Sequence, residues 1–136
     1  MAASKILFAA GSDCDFTLLE ELFDRNNTTV HRVRSGEEAL ATLRTTSFEL
    51  MLTDLEMPDM DAITLARRAR RARPGLTVFM YTDLPTQALR REIGEAGIER
   101  IFDKPLSPKL VRYLLWEARR ASERGGGGDA ASAKGV

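Results

Sequence analysis

The chain has 136 residues, 43% of them hydrophobic, so it fits one domain and can bury a real core. Its 20 Lys and Arg cancel its 20 Asp and Glu, which speaks against direct nucleic-acid binding or a membrane-surface role, both of which need net or clustered positive charge. A single cysteine, Cys14, excludes an internal disulfide and fits a reducing compartment; with no His near it, it reads as a small buried or loop residue rather than a reactive thiol. The apolar run Ile6–Ala10 is too short for a signal or transmembrane segment, and a cytoplasmic location is expected.

Lys5–Ala10 reads as a buried strand, followed by a Gly11-Ser12-Asp13 loop. Phe16, Leu19, Leu22 and Phe23 then recur at helical spacing, and Asn26-Asn27 ends that helix. Thr28–Val33 favours a strand, with His31 on its surface rather than serving as a ligand. Ser35 and Glu38 form a capping box for a helix whose apolar face is Ala39, Leu40 and Leu43. Phe48–Thr53 is a third strand that runs into Asp54 before the chain turns at Met57-Pro58-Asp59. An apolar run ending in a carboxylate and a turn is how an open α/β sheet presents a reactive group. The plainer reading, in which Asp54 only starts the turn, fits the same residues.

Ala62–Arg73 is expected to be helical, with Leu65, Ala69 and Ala72 facing the core and Arg67, Arg68, Arg70, Arg71 and Arg73 on a solvated face. Leu76–Thr82 is a fourth strand, Thr86–Ala96 a helix closed by Gly97, and Ile98–Phe102 a fifth strand. Asp103-Lys104-Pro105 follows, with Lys104-Pro105 a candidate cis peptide. The last helix opens at Ser107-Pro108 and runs to about Arg124, and the Gly/Ala/Ser-rich residues 125–136 read as a flexible tail or linker. Five strands alternating with five helices specify a doubly wound α/β fold with a parallel sheet. Right-handed crossovers bring the Gly11–Asp13 loop, Asp54, Thr82 and Lys104 to one sheet edge. A carboxylate nucleophile, a hydroxyl donor and an ammonium there make a plausible phosphoryl site.

At this point the chain resembles the receiver domain of two-component response regulators. The motifs are LTDLEMPDMD, with Asp54 at the phosphoacceptor position; VFMYT, with Thr82 at the switch Thr/Ser position; and DKP, with Lys104 at the position of the family's lysine. SGEEAL before the second helix is also similar. The resemblance covers about Lys5 to Arg124, which sets a receiver domain at residues 1–124. It implies a flavodoxin-like (βα)5 fold with strand order 2-1-3-4-5. It also implies phosphoryl transfer to Asp54 from a sensor histidine kinase or another signalling protein, and no enzymatic activity beyond that self-catalysed step.

The departures from the family pattern matter as much. Receivers carry two adjacent acids at the end of strand 1, which hold Mg²⁺ with the phosphoacceptor and the backbone carbonyl two residues after it, here that of Glu56. The acidic pair is replaced by Ala10 and Gly11, so metal affinity is expected to fall sharply. Asp13 is a substitute ligand within roughly 7 Å of extended chain; alternatively Asp13 or Asp15 caps the first helix. Asp83 stands where a small residue gives access to the phosphoacceptor, and Ile101 where an aromatic switch residue is usual. Phe102 is expected on the opposite face of its strand. Ala62 replaces a common turn glycine, and the Glu56 side chain is a candidate contact for Lys104.

On the last helix, Leu110, Val111, Leu114, Ala118 and Ala121 share one face. Trp116 lies opposite, flanked by Tyr113, Arg112, Arg119 and Arg120, a composition enriched at binding hot spots. By resemblance the face of helix 4, strand 5 and helix 5 docks partners or a second copy; the plainer reading lays Trp116 flat on a neighbouring helix. Two functional readings follow. Asp54, Thr82 and Lys104 favour a phosphorylated switch, while Ala10, Gly11, Asp83 and Ile101 favour a pseudo-receiver that docks partners without phosphorylation. A phosphohydrolase with an Asp nucleophile is disfavoured, because strand 1 ends in Ala-Gly rather than in the acids such an enzyme needs.

Overall fold

The apolar runs form five parallel strands, β1 (Ser4–Ala9), β2 (Thr28–Val33), β3 (Leu50–Asp54), β4 (Thr77–Thr82) and β5 (Ile98–Asp103), in the order β2-β1-β3-β4-β5. The computed structural model describes residues 4–11, 16–105 and 107–123, except the side chains of 18, 19 and 122. Asp13, Cys14, Asp15 and the glycine-rich end at 125–136 lie outside the described residues. Between the strands run α1 (Phe16–Asp24), α2 (Gly36–Thr45), α3 (Ala62–Ala72) and α4 (Arg90–Glu95), and α5 (Pro108–Glu123) follows β5. The alternation of elements gives the expected doubly wound parallel sheet, and its strand order is the flavodoxin-like (βα)5 order that the resemblance implies.

Side chains alternate between the two faces of a strand, and both faces here are covered by helices. Leu7, Met51, Val78 and Met80 pack with Leu40 and Leu43 of α2, Leu65 of α3 and Ile93 of α4. Ile6, Phe8, Leu52, Phe79 and Tyr81 pack with Phe23 of α1 and Leu110, Val111 and Leu114 of α5. Every residue of β3 and β4 is buried, which is why Leu50–Leu52 and Val78–Tyr81 are apolar runs. β5 lies at the edge of the sheet and pairs only with β4, with a register shift opposite Val78 and Phe79. Its Glu99, Arg100 and Asp103 are exposed.

Several local expectations change. On α3 the buried residues are Ala62, Leu65, Ala66 and Ala69, one stripe at helical spacing, and Ala72, the last residue of the helix, is exposed. Of its arginines, Arg67, Arg68 and Arg71 are exposed, but Arg70 donates to Leu76 O and Arg73 to Leu43 O, so two of the five hold the helix in place. The helix expected at Thr86–Ala96 begins as a 3₁₀ turn, Gln87–Leu89, and only then becomes α4. Neither Thr86 nor Leu89 makes a side-chain cap, and Ile93 is the buried residue of α4. Ser35 caps α2 by accepting from Glu38 N, while Glu38 reaches back one residue further than expected, to Arg34 N. Gly97 ends its segment at φ 87°, as a C-terminal glycine does. Leu110, Val111, Leu114, Ala118 and Ala121 are buried along α5, as their spacing indicates.

Candidate functional site

β3 is the central strand, and its alternation carries Asp54 onto the face of Leu50 and Leu52, beneath α1 and α5. Asp54 is 8% exposed. Lys104 Nζ donates to its Oδ2 at 2.6 Å, and its other oxygen accepts from Glu56 N at 3.4 Å. Two contacts hold Lys104 toward the site: its backbone N–H donates to Thr82 O at 3.1 Å, and its ammonium lies 5.4 Å from the centre of the Tyr81 ring. Its bond to Pro105 is cis. Thr82 is 1% exposed, and its hydroxyl accepts from Leu84 N. The Asp–Lys pair thus forms a partly buried, preorganised cation–carboxylate contact, with Thr82 on the adjacent strand end.

Alternation separates the other positions. Ile101 packs on the side of Met80 and Ile93, and Phe102 on the side of Phe79 and Tyr113, so no aromatic ring of β5 shares the Thr82 side. Asp83 is exposed at the mouth of the site. The Glu56 side chain is exposed, and no contact with Lys104 brings it into the site, which corrects that expectation.

Among the described residues, the donors at this edge are a poor match for a divalent ion; Asp13, the candidate substitute ligand, lies outside them. Mg²⁺ requires six oxygens in near-octahedral geometry. Ala10 and Gly11 offer no carboxylate, one oxygen of Asp54 is engaged by Lys104, and the Glu56 carbonyl is a lone neutral donor. Among the described residues no group of three or more His, Cys, Asp or Glu side chains is arranged to hold a metal. The Arg32 guanidinium instead reaches the end of β1 and donates from Nη2 to Ala10 O at 3.3 Å.

Two residues of this region escape the sequence reading. One is Arg32; its strand position was legible, but nothing local told that its side chain would run to the sheet edge. The other is Asp59, whose carboxylate accepts from Gly36 N and Glu37 N, each at 2.8 Å, and so ties the β3–α3 turn to the N-terminus of α2. Met60 closes over Gly36, where an added Cβ would lie 2.4 Å from its Cγ. The Gly36 and then the Glu37 N–H bonds hold the Asp59 carboxyl below its ordinary 3.8. Because its folded value is depressed, its stabilisation is complete above 3.8 and is lost as pH falls through the folded value. In Asp59→Ala, the urea midpoint is therefore expected below wild type at neutral pH, with the gap closing in acid. A gap that stays constant across that range would show that the carboxylate charge is not its source.

On α5, Trp116 is 53% exposed, with the Arg120 guanidinium 4.9 Å from its ring centre. Tyr113 is half-buried, stacks against Phe79, meets Phe102, and donates to Glu117 Oε2 at 2.8 Å. Burial first, and then Glu117, push its phenol pKa up. Beside it a groove of about 470 Å³ is lined by Arg100, Phe102, Asp103, Ser107 and Leu110. Trp116 does not lie flat on a neighbouring helix; it stands out beside Tyr113 and Arg120.

This sheet order, with a buried carboxylate ending the central strand and a lysine paired to it from the next-but-one strand, defines a CheY-like α/β domain. The family model for the response regulator receiver domain matches residues 14–115. The chain belongs to that family and is a receiver domain of two-component signalling. It is 33% identical over 110 residues to the transcriptional regulatory protein ResD of Bacillus subtilis, an alignment covering 78% of this chain and 44% of ResD. The chain spans about half the length of the curated relatives it matches. A CheY-like receiver domain protein from Methanospirillum hungatei superposes with a TM-score of 0.81 at 21% identity, over 90% of this chain and 99% of that one. A Burkholderia pseudomallei response regulator, solved with a phosphorylated aspartic acid, calcium and citrate, superposes at 0.74 and 19% identity, over 88% of this chain and 69% of that one. No helix among the described residues is long and apolar enough to cross a membrane.

Proposed function

We propose that Asp54 accepts a phosphoryl group from a sensor histidine kinase. The observation that carries this reading is the 2.6 Å contact between Lys104 Nζ and Asp54 Oδ2. An Asp54 oxygen attacks phosphorus, the bond from phosphorus to the donor breaks, and the leaving group keeps the electron pair. Lys104 then pairs with a phosphoryl oxygen, and Thr82 donates to another. The phosphorylated aspartate in the Burkholderia pseudomallei relative supports the chemistry by analogy. This reading includes no activity beyond the self-catalysed transfer. A cytoplasmic location, with neither nucleic acid nor membrane as direct partner, completes the proposal. Residues 1–124 act as the receiver unit and 125–136 as its tail or linker. Intact mass after incubation with a small acyl phosphate and Mg²⁺ tests the assignment. Wild type is expected to gain one phosphoryl group and Asp54→Asn none; an equal gain in the variant would move the acceptor elsewhere.

Trp116 favours a second role, docking a partner protein or a second copy through the face of α4, β5 and α5. Its exposed ring, with Tyr113 and Arg120 around it, is the kind of anchor that dominates binding energy. If the chain self-associates in sedimentation experiments, Trp116→Ala is expected to weaken that association at least tenfold, by the ~1.4 kcal/mol or more of an anchor residue. Unchanged association would place the interface elsewhere. A chain that docks but never gains a phosphoryl group would be a pseudo-receiver.

A further inference from the structure

We propose that α1 and α3 are the two halves of a contact between copies of this chain. The carboxylates of Glu20, Glu21 and Asp24 on one copy meet the guanidiniums of Arg67, Arg68 and Arg71 on the next. This surface is separate from the Trp116 face and does not depend on phosphorylation of Asp54.

Spacing is the first argument. Glu20, Glu21 and Asp24 follow Thr17 by three, four and seven residues, and Arg67, Arg68 and Arg71 follow Thr64 by the same steps. At about 100° per residue, each set makes one stripe along its helix. All six side chains are exposed. The two stripes share length and stagger and carry opposite charge. A guanidinium is also the planar fork that fits a carboxylate.

Charge is the second argument. Among the described residues, Glu20, Glu21, Asp24, Arg67 and Arg71 make no ion pair. Arg68 makes a long one, 3.9 Å to Glu37, with the two side chains 52% and 66% exposed. The other arginines of this segment, Arg70 and Arg73, are turned to Leu76 O and Leu43 O and stay out of the stripe. Near α1 the opposing charges stand at its end: Arg25 follows the helix, and Arg119 reaches Asn26 O. Across the whole chain twenty cations cancel twenty anions, so no net charge repels a second copy at long range.

Topology sets the form of the contact. Phe16 and Phe23 of α1 pack on the sheet face of Ile6 and Phe8, whereas Leu65 and Ala69 of α3 pack on the face of Leu7 and Met51. The two stripes therefore look away from opposite sides of the sheet. One copy cannot join its own stripes. Two copies that join one α1 to one α3 leave the other α1 and the other α3 uncovered. The contact is heterologous and runs on from copy to copy. Exposed ion pairs are individually weak and screened by salt, so the assembly is reversible and salt-sensitive.

Sedimentation of the full chain tests the contact, with Trp116→Ala in every sample so that the α5 face takes no part. At protein concentrations up to about a millimolar, this parent is expected to form a graded series of assemblies in low salt. Its association is expected to weaken about tenfold between about 0.05 M and about 0.5 M salt. Two triple variants are each expected to stay monomeric in low salt, with the parent's circular dichroism. One carries Glu20→Gln, Glu21→Gln and Asp24→Asn; the other carries Arg67→Gln, Arg68→Gln and Arg71→Gln. Mixed, they are expected to form a one-to-one pair and nothing larger, because each keeps one stripe. A control with Glu92→Gln, Glu95→Gln and Glu123→Gln changes net charge as much as the α1 variant and is expected to assemble like the parent. A parent that stays monomeric in low salt, stops at two copies, or associates equally in high salt would overturn the contact. So would a mixture that stays monomeric, or a control that loses assembly. Where a triple variant does not fold, Arg67→Gln alone is expected to weaken association about twofold, and no change would count against the contact.

Discussion

Replacing Lys104 with Ala is expected to slow phosphoryl addition to Asp54 by about a hundredfold or more, the scale seen when a preorganised charge donor is removed from a transferring group. The same change should cost about 1–2 kcal/mol of stability, since it leaves a mostly buried carboxylate without its cation. The two side chains are 21% and 12% exposed, so solvent reaches the pair and the cost stays below that of a fully buried one. Lys104→Arg should not rescue the rate. The site is built for a point charge arriving along one line, from a backbone fixed to Thr82 O, and a planar fork needs more room. Mass time courses and urea midpoints measure the two effects separately. A variant that reacts at the wild-type rate would show that the ion pair has only a structural role.

Phe79→Ala is expected to cost about 4 kcal/mol, within the usual range for a fully buried aromatic residue, and to lower the melting temperature by more than 10 °C. Phe79 is 1% exposed, and its ring meets both Phe102 at 5.5 Å and Tyr113 at 6.1 Å. It thereby supports the aromatic row that ends in Trp116, through the 5.8 Å Tyr113–Trp116 contact. Calorimetry checks the stability. A loss below about 1 kcal/mol would mean that the α5 side repacks into the space, contrary to the close packing expected of such cores.

The alternation of strands and helices and both cores were legible because the strands carry apolar runs and the helices carry apolar residues at helical spacing, whereas the strand order followed from the resemblance to receiver domains. Asp54 and Lys104 were legible for a related reason: each closes a strand-like run and stands just before or within a turn. What the sequence hid depends on contacts between distant segments. Spacing puts Ala72 on the face of Leu65 and Ala69, but it is the last residue of α3 and is exposed, and Ala62 and Ala66 complete the buried stripe. Arg32 looked like an ordinary strand residue, and only its side chain's run to Ala10 O draws it into the site. Asp59 looked like a turn former, and its bonds to Gly36 and Glu37 bridge more than twenty residues that no local pattern connects.

The open edge at β5 also limits how this domain can assemble. A strand with one unpaired side is a template for backbone pairing with another chain, and a flat apolar edge would invite it. Here Glu99, Arg100 and Asp103 project from that strand, and the register shift against Val78 and Phe79 bends its path. A second chain laid along β5 would have to desolvate those charges to gain its ladder of hydrogen bonds. Sheet extension along β5, which would propagate from copy to copy, is therefore disfavoured.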